Sequence, residues 1–194
     1  MTARKAQARV LLFHKPKGLT VTRADERGRR TVYDALPAWV REDGWVPVGR
    51  LDRETRGLLL FVREGALVER LTRPGSCAKV YEVWVRGRVT EAHRAQARAG
   101  VTSPAGLLKA AALEIAGTAG PKTRLRVTLD EGKNRHLRRL FAALKDPERG
   151  TPLKVTDLKR IAFGPLELDV GSGAWRMLTP REERGLLDAA GGDL

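Results

Sequence analysis

The chain has 194 residues, enough for one sizeable domain or two small subdomains, and 37 Lys and Arg against 23 Asp and Glu give it a net charge of +14. That balance favours a polyanionic partner, nucleic acid first among them. A single cysteine, Cys77, excludes an internal disulfide and fits a reducing cytosol; His14, His93 and His136 lie too far apart for metal-ligand spacing; and the apolar run 10–13 is too short for a signal core or a membrane span.

Residues 1–8 are polar and basic and read as a flexible tail. Val10 to Phe13 reads as a buried strand, and Pro16 and Gly18 force a turn after it. Thr31 can cap a short helix to about Leu36, stopped by Pro37. Gly57 to Val62 is a continuous apolar run, the pattern of a strand buried on both faces. Gly65 to Leu71 predicts a short helix ended by Pro74-Gly75. Lys79 to Arg86 alternates, with Tyr81, Val83 and Val85 on one face. Thr90 to Ala99 predicts a helix between a Thr cap and a Gly100 stop. Thr123 to Leu129 predicts a further strand, and Asn134 to Leu144 a helix with Leu137, Leu140, Phe141 and Leu144 on its apolar stripe. Short strands are expected near Leu153–Val155 and Leu166–Val170. Thr179-Pro180-Arg181-Glu182 opens a last helix, and 189–194 read as a frayed end. Strands and short helices mix without βαβ regularity, so the expected class is α+β with a mixed, largely antiparallel central sheet and flanking helices.

The chemistry concentrates in Val48-Gly49-Arg50-Leu51-Asp52-Arg53-Glu54-Thr55-Arg56-Gly57-Leu58-Leu59-Leu60-Phe61. A turn-rich basic segment carrying Asp52 among Arg50, Arg53 and Arg56 leads straight into an apolar strand. A carboxylate in a positive setting suits an enzyme of an anionic polymer, although Asp52 taken alone reads equally as a turn residue or helix cap.

Four segments in order resemble the pseudouridine synthases of ribosomal RNA, a family with small-subunit and large-subunit members. They are Leu11-Leu12-Phe13-His14-Lys15-Pro16-Lys17-Gly18, Gly49 to Leu59, Lys79-Val80-Tyr81-Glu82-Val83, and Glu131-Gly132-Lys133-Asn134-Arg135-His136-Leu137-Arg138-Arg139. Within the family the resemblance is greatest to the large-subunit type E synthase, on the Pro74-Gly75 turn and the Gly173-Ala174-Trp175-Arg176 ending. His14, His136 and Lys133 depart from the family's usual Asn, Gln and Arg. The resemblance implies a pseudouridine synthase-like sheet with an active-site cleft across it. It implies one catalytic domain over 9–188 with no S4 RNA-binding domain in front.

It also implies roles. Asp52 becomes the catalytic carboxylate, acting at C1′ as a nucleophile or at C2′ as a base. Tyr81, a core tyrosine by periodicity alone, becomes the ring stacked on the flipped uracil. Arg138 becomes the basic residue paired with the aspartate, its fork suited to a carboxylate. Leu158 stands at a position that packs near the base, where ordinary core packing serves equally. Lys15, Lys17, Arg50, Arg53, Arg56, Lys133 and Arg135 are expected on RNA phosphates, offsetting the cost of exposing a nucleotide. The expected protein is a cytoplasmic monomer that needs no cofactor or metal, binds no membrane, and isomerises a uridine of ribosomal RNA, most readily the large-subunit (23S) RNA. The alternatives are the same reaction on small-subunit RNA, or a non-catalytic RNA-binding or ribosome-assembly factor.

Overall fold

A computed structural model describes residues 9–104 and 106–191; the expected tail at 1–8 and the end of the expected frayed segment, 192–194, lie outside them. The chain divides into two compact units, one built from residues up to Cys77 and from Arg160 onward, the other from Ala78–Lys159.

In the first unit, strand β1 (Val10–Lys15) leads through a turn at Lys17-Gly18 to a 3-10 helix over Val32–Ala35. Helix α1 (Ala38–Glu42), strand β2 (Val46–Pro47), strand β3 (Arg56–Val62) and helix α2 (Gly65–Thr72) follow. β1 pairs antiparallel with β3, Val10 opposite Val62 and Lys15 opposite Gly57. The expected two-faced burial of β3 is present: every residue from Gly57 to Val62 is buried. Leu58, Leu60 and Val62 pack with Val10, Leu12, Leu67 and Leu71 in one apolar cluster. Phe61, of the opposite parity, meets Phe13 and Tyr33 edge-on at centroid distances of 6.4 and 5.8 Å. Each leucine-sized side chain removed from water here contributes about 1.5–3 kcal/mol.

In the second unit, strand β4 (Lys79–Arg86) runs over the residues whose alternation predicted it, and Lys79, Tyr81, Val83 and Val85 are its buried face. Helix α3 (Glu91–Ala99) starts from Thr90 and ends at Gly100, whose φ of +115° is open to glycine. A hairpin of β5 (Val101–Ser103) and β6 (Gly106–Leu108) precedes β7 (Ala112–Ala119) and β8 (Lys122–Leu129). β8 lies between β4 and β7, antiparallel to both, with a register shift between Ile115 and Gly117. Helix α4 is shorter than expected, His136–Ala142, because Arg135 before it takes a left-handed conformation at φ +51°. Leu137, Leu140, Phe141 and, just beyond the helix, Leu144 are buried as expected.

The strand expected at Leu153–Val155 is instead the ten-residue β9, Lys154–Phe163, whose last four residues belong to the first unit. There it turns back into β10 (Leu166–Glu167), followed by β11 (Trp175–Met177), antiparallel to β1. Helix α5 (Pro180–Ala189) carries the predicted capping box: Thr179 Oγ1 accepts from the Glu182 amide, and the Glu182 carboxylate accepts from the Thr179 amide at 2.7 Å. Ala189 is therefore helical rather than frayed. Arg176 holds both Asp169 and Glu182, at 2.7 and 2.6 Å. These pairings keep the expected class, α+β with a largely antiparallel sheet and flanking helices. No helix among the described residues is long and apolar enough to cross a membrane.

Candidate active site

Asp52 sits half-buried at the start of a tight turn, where the Thr55 amide donates to its carbonyl at 2.9 Å. Leu51 before it and Thr55 after it are buried and anchor the turn at both ends. Behind the turn lies Lys15, with 0% of its surface exposed. Its ammonium donates to three carbonyls, Pro16 at 3.0 Å, Arg53 at 3.3 Å and Thr55 at 2.7 Å. Gly18 adds a reciprocal clamp: its amide donates to the Arg53 carbonyl at 2.8 Å and the Arg53 Nε donates back to its carbonyl at 3.2 Å. The loop after β1 thus fixes the backbone on the C-terminal side of Asp52.

The expected phosphate contact by Lys15 is corrected by this burial. All three protons of its ammonium are spent inside the protein, and no phosphate can reach it. Burial pushes the amine down to about 8, against the opposite pull of the Glu54 and Asp52 carboxylates. Between pH 8 and the ordinary lysine value of 10.5 the unfolded chain therefore holds a proton that the folded chain has lost, so this group's contribution to stability rises with pH in that window. At the same time a neutral amine has two protons for three carbonyls, and one tie on the turn is released. Lys15→Met should remove that rise in stability from a Tm-versus-pH series, while leaving the Pro16 and Thr55 carbonyls short of a donor, at about 1–3 kcal/mol for each one left unsatisfied; the Arg53 carbonyl keeps the Gly18 amide. An unchanged pH series in the variant would show that another group titrates.

Lys17, Arg50 and Arg53 are exposed around the turn, and Arg56 is half-buried at the start of β3. Glu54 is 61% exposed and meets Arg53 at 3.4 Å. His14 is buried on β1, its Nδ1 hydrogen-bonded to the Val170 carbonyl at 2.8 Å.

Tyr81, Lys133, Arg135, Arg138 and Leu158 belong to the second unit. Tyr81 is buried on β4, opposite Val127 of β8. Arg138 is half-buried on α4, and its Nη1 points to the Val155 carbonyl at 3.5 Å. Leu158 is buried on β9. Arg135 is exposed at the helix start. Lys133 is exposed but engaged locally, with Glu131 at 2.8 Å and the Leu107 carbonyl at 2.9 Å. His136 is buried, its Nε2 hydrogen-bonded to the Lys109 carbonyl at 2.9 Å. Desolvation holds its pKa below the ordinary histidine value. Among the described residues no three His, Cys, Asp or Glu side chains are grouped to hold a metal ion.

The sequence reading missed two things here. One is the structural role of Lys15, for which a polar residue ending a buried strand was the only sign. The other is Arg160, 3% exposed at the end of β9, whose Nε donates to the Leu58 carbonyl at 2.7 Å.

The family model for RNA pseudouridylate synthase matches residues 9–143, which enclose the Asp52 turn. The chain belongs to that family. It is 38% identical over 174 residues to ribosomal large subunit pseudouridine synthase B of Haemophilus influenzae, covering 88% of this chain and 46% of that one. It is likewise 38% identical over 173 residues to the protein of that name from Escherichia coli K12, covering 57% of it. The chain thus spans about half the length of the curated relatives it matches. They are type B proteins, not the type E synthase to which the Gly173–Arg176 ending was likened. Among solved structures, a pseudouridylate synthase is similar with a TM-score of 0.79 at 28% identity, over 93% of this chain and 74% of that one.

Proposed function

We propose that this chain isomerises a uridine of ribosomal RNA, of the large subunit, to pseudouridine, with Asp52 as the catalytic carboxylate. The observation that carries the reading is the Asp52 turn itself, enclosed in the matched family segment 9–143 and held by Lys15 and Gly18. The large-subunit choice rests on the relatives at 38% identity.

In one route the Asp52 carboxylate attacks C1′ as the N1–C1′ bond breaks and uracil leaves with the bonding pair. The base turns, C5 bonds to C1′, the carboxylate is released, C5 gives up its proton and N1 gains one. In the other, Asp52 takes the C2′ proton as uracil leaves, and the resulting glycal is attacked by C5 and reprotonated at C2′. Tyr81 and Arg138 take the roles of their places in the family motifs, the ring against uracil and the basic group. Lys17, Arg50, Arg53, Arg56, Lys133 and Arg135, all with exposed or half-exposed side chains, are the phosphate contacts of this reading. Leu158 packs near the base.

Both routes remove the hydrogen on C5, so the test is tritium release from ribosomal RNA transcripts carrying [5-³H]uridine. Release is expected from large-subunit RNA. Release from small-subunit RNA alone would move the substrate, and no release from either despite tight binding would replace the enzyme by an RNA-binding factor.

A further inference from the structure

The first unit carries an aromatic face that the chemistry above does not use. The sequence has four tryptophans, and three of them meet here. Trp39 lies edge-on to Trp45 at 5.9 Å and to Trp175 at 5.4 Å. Trp45 is buried, Trp39 half-buried, and Trp175, on β11, is 36% exposed, one of two exposed large hydrophobic side chains among the described residues. Guanidinium groups frame the row. Arg63 lies over the Trp45 ring at 5.5 Å, and Arg41 over the Tyr33 ring at 5.4 Å. Tyr33 is joined to Trp45 by its hydroxyl, which donates to the Trp45 carbonyl at 2.8 Å. Arg41 and Arg23 each donate to the other's carbonyl, at 2.7 and 3.1 Å.

An isolated exposed tryptophan needs no explanation, and the plain one here is a cover over Trp39. Two features go further. The 77° angle between the rings leaves at least one face of Trp175 uncovered by Trp39. The cations on the row's inner rings, Arg63 at Trp45 and Arg41 at Tyr33, are arginines, on a chain of net charge +14. Aromatic faces beside cationic side chains are the chemistry by which proteins hold single-stranded nucleic acid without reading its sequence: bases stack and phosphates pair. We infer that Trp175 is a stacking platform for an unpaired base of the RNA, with Trp39 bracing its ring and Arg23 and Arg41 on the neighbouring phosphates. This rests on the reading of the chain as an RNA enzyme and adds a holding site to it.

The test is binding of the full chain to a fluorescently labelled ten-nucleotide oligouridylate, compared for the parent, Trp175→Tyr, Trp175→Leu and Trp175→Ala. Trp175→Leu keeps an apolar cover over Trp39 but has no aromatic face, and so separates stacking from packing. Trp175→Leu and Trp175→Ala should weaken binding about 5- to 150-fold, and Trp175→Tyr should stay within a few-fold of the parent. Equal binding by Trp175→Leu and the parent overturns the proposal, and so does an equal loss on a duplex of the same length. Tritium release is read separately on the parent chain. Its absence beside the expected binding pattern sinks the synthase reading and leaves the platform standing; its presence beside unchanged binding does the reverse.

Discussion

Asp52→Asn should abolish tritium release, by at least about 1,000-fold, while the protein folds and binds RNA as before. The magnitude sits in the upper half of what one positioned acid–base or nucleophilic group contributes. Asparagine has the shape of aspartate but neither attacks C1′ nor takes a proton from C2′, so the variant fails by either route. The turn itself should survive. Its hydrogen bond runs from the Thr55 amide to the main-chain carbonyl of residue 52, which the substitution keeps, and asparagine is as well suited as aspartate to a turn. Lys15 grips the carbonyls of Arg53 and Thr55, main-chain atoms that the substitution leaves in place. Stability should therefore change by no more than about 1 kcal/mol. Glu54→Gln is the matched control. A hydrolase of glycosidic bonds commonly works with two carboxylates, and Glu54 is the second carboxylate of this turn. It is 61% exposed, at 3.4 Å from Arg53, and its loss should leave release within a few-fold. Release by Asp52→Asn at more than a tenth of the parent rate would remove Asp52 from the chemistry. A comparable collapse in Glu54→Gln would point to a two-carboxylate mechanism.

How much of this could be read from the chain depended on whether one signal dominated locally. β4 was legible to the residue because its alternation is unbroken and Tyr81, Val83 and Val85 all face inward. α5 was legible because its cap is written in four consecutive residues. β9 was not. Thr156 and Asp157 are both only half-buried in succession, which breaks the period of two, and the inward face carries Arg160, a residue that reads as solvent-facing. β7 was missed because seven of its eight residues lie exposed or half-covered at the end of the strand order, and α1 because five residues are too few to show a stripe. Motif order alone singled out Asp52, Tyr81 and Arg138 as candidates. Lys15 was misassigned for a physical reason: a lysine after an apolar strand is normally solvated, and the three carbonyls that collect its ammonium include two from a segment some 40 residues away in sequence. A one-dimensional pattern carries no trace of such a convergence.

That convergence makes Gly57 the most sensitive position next to the turn, and Gly57→Ala should cost about 2–6 kcal/mol. Gly57 has φ +116°, where a side chain is strained by about 1–3 kcal/mol. A Cβ there would also run into the main chain of Arg160, with the amide nitrogen at 2.5 Å and the carbonyl carbon at 2.9 Å. Those atoms belong to a strand, and the Arg160 side chain is itself pinned to the Leu58 carbonyl. Neither side can yield by rotating a flexible chain end, so overpacking adds about 1–3 kcal/mol. Gly57 is also the cross-strand neighbour of Lys15. Pushing β3 away from Arg160 would pull Thr55 and Arg53 off the ammonium and displace Asp52, so activity should fall even below the temperature at which the variant melts. Tm should drop by roughly 5–20 °C for a chain of this size. Gly18→Ala isolates the strain, since Gly18 has φ +90° and an added methyl there would meet nothing within 4 Å. It should cost only the conformational part, about 1–3 kcal/mol. Thermal melts of the two variants side by side decide the matter: equal losses would mean that the contact with Arg160 relaxes, and that β3 is not the rigid support on which the Asp52 turn is built.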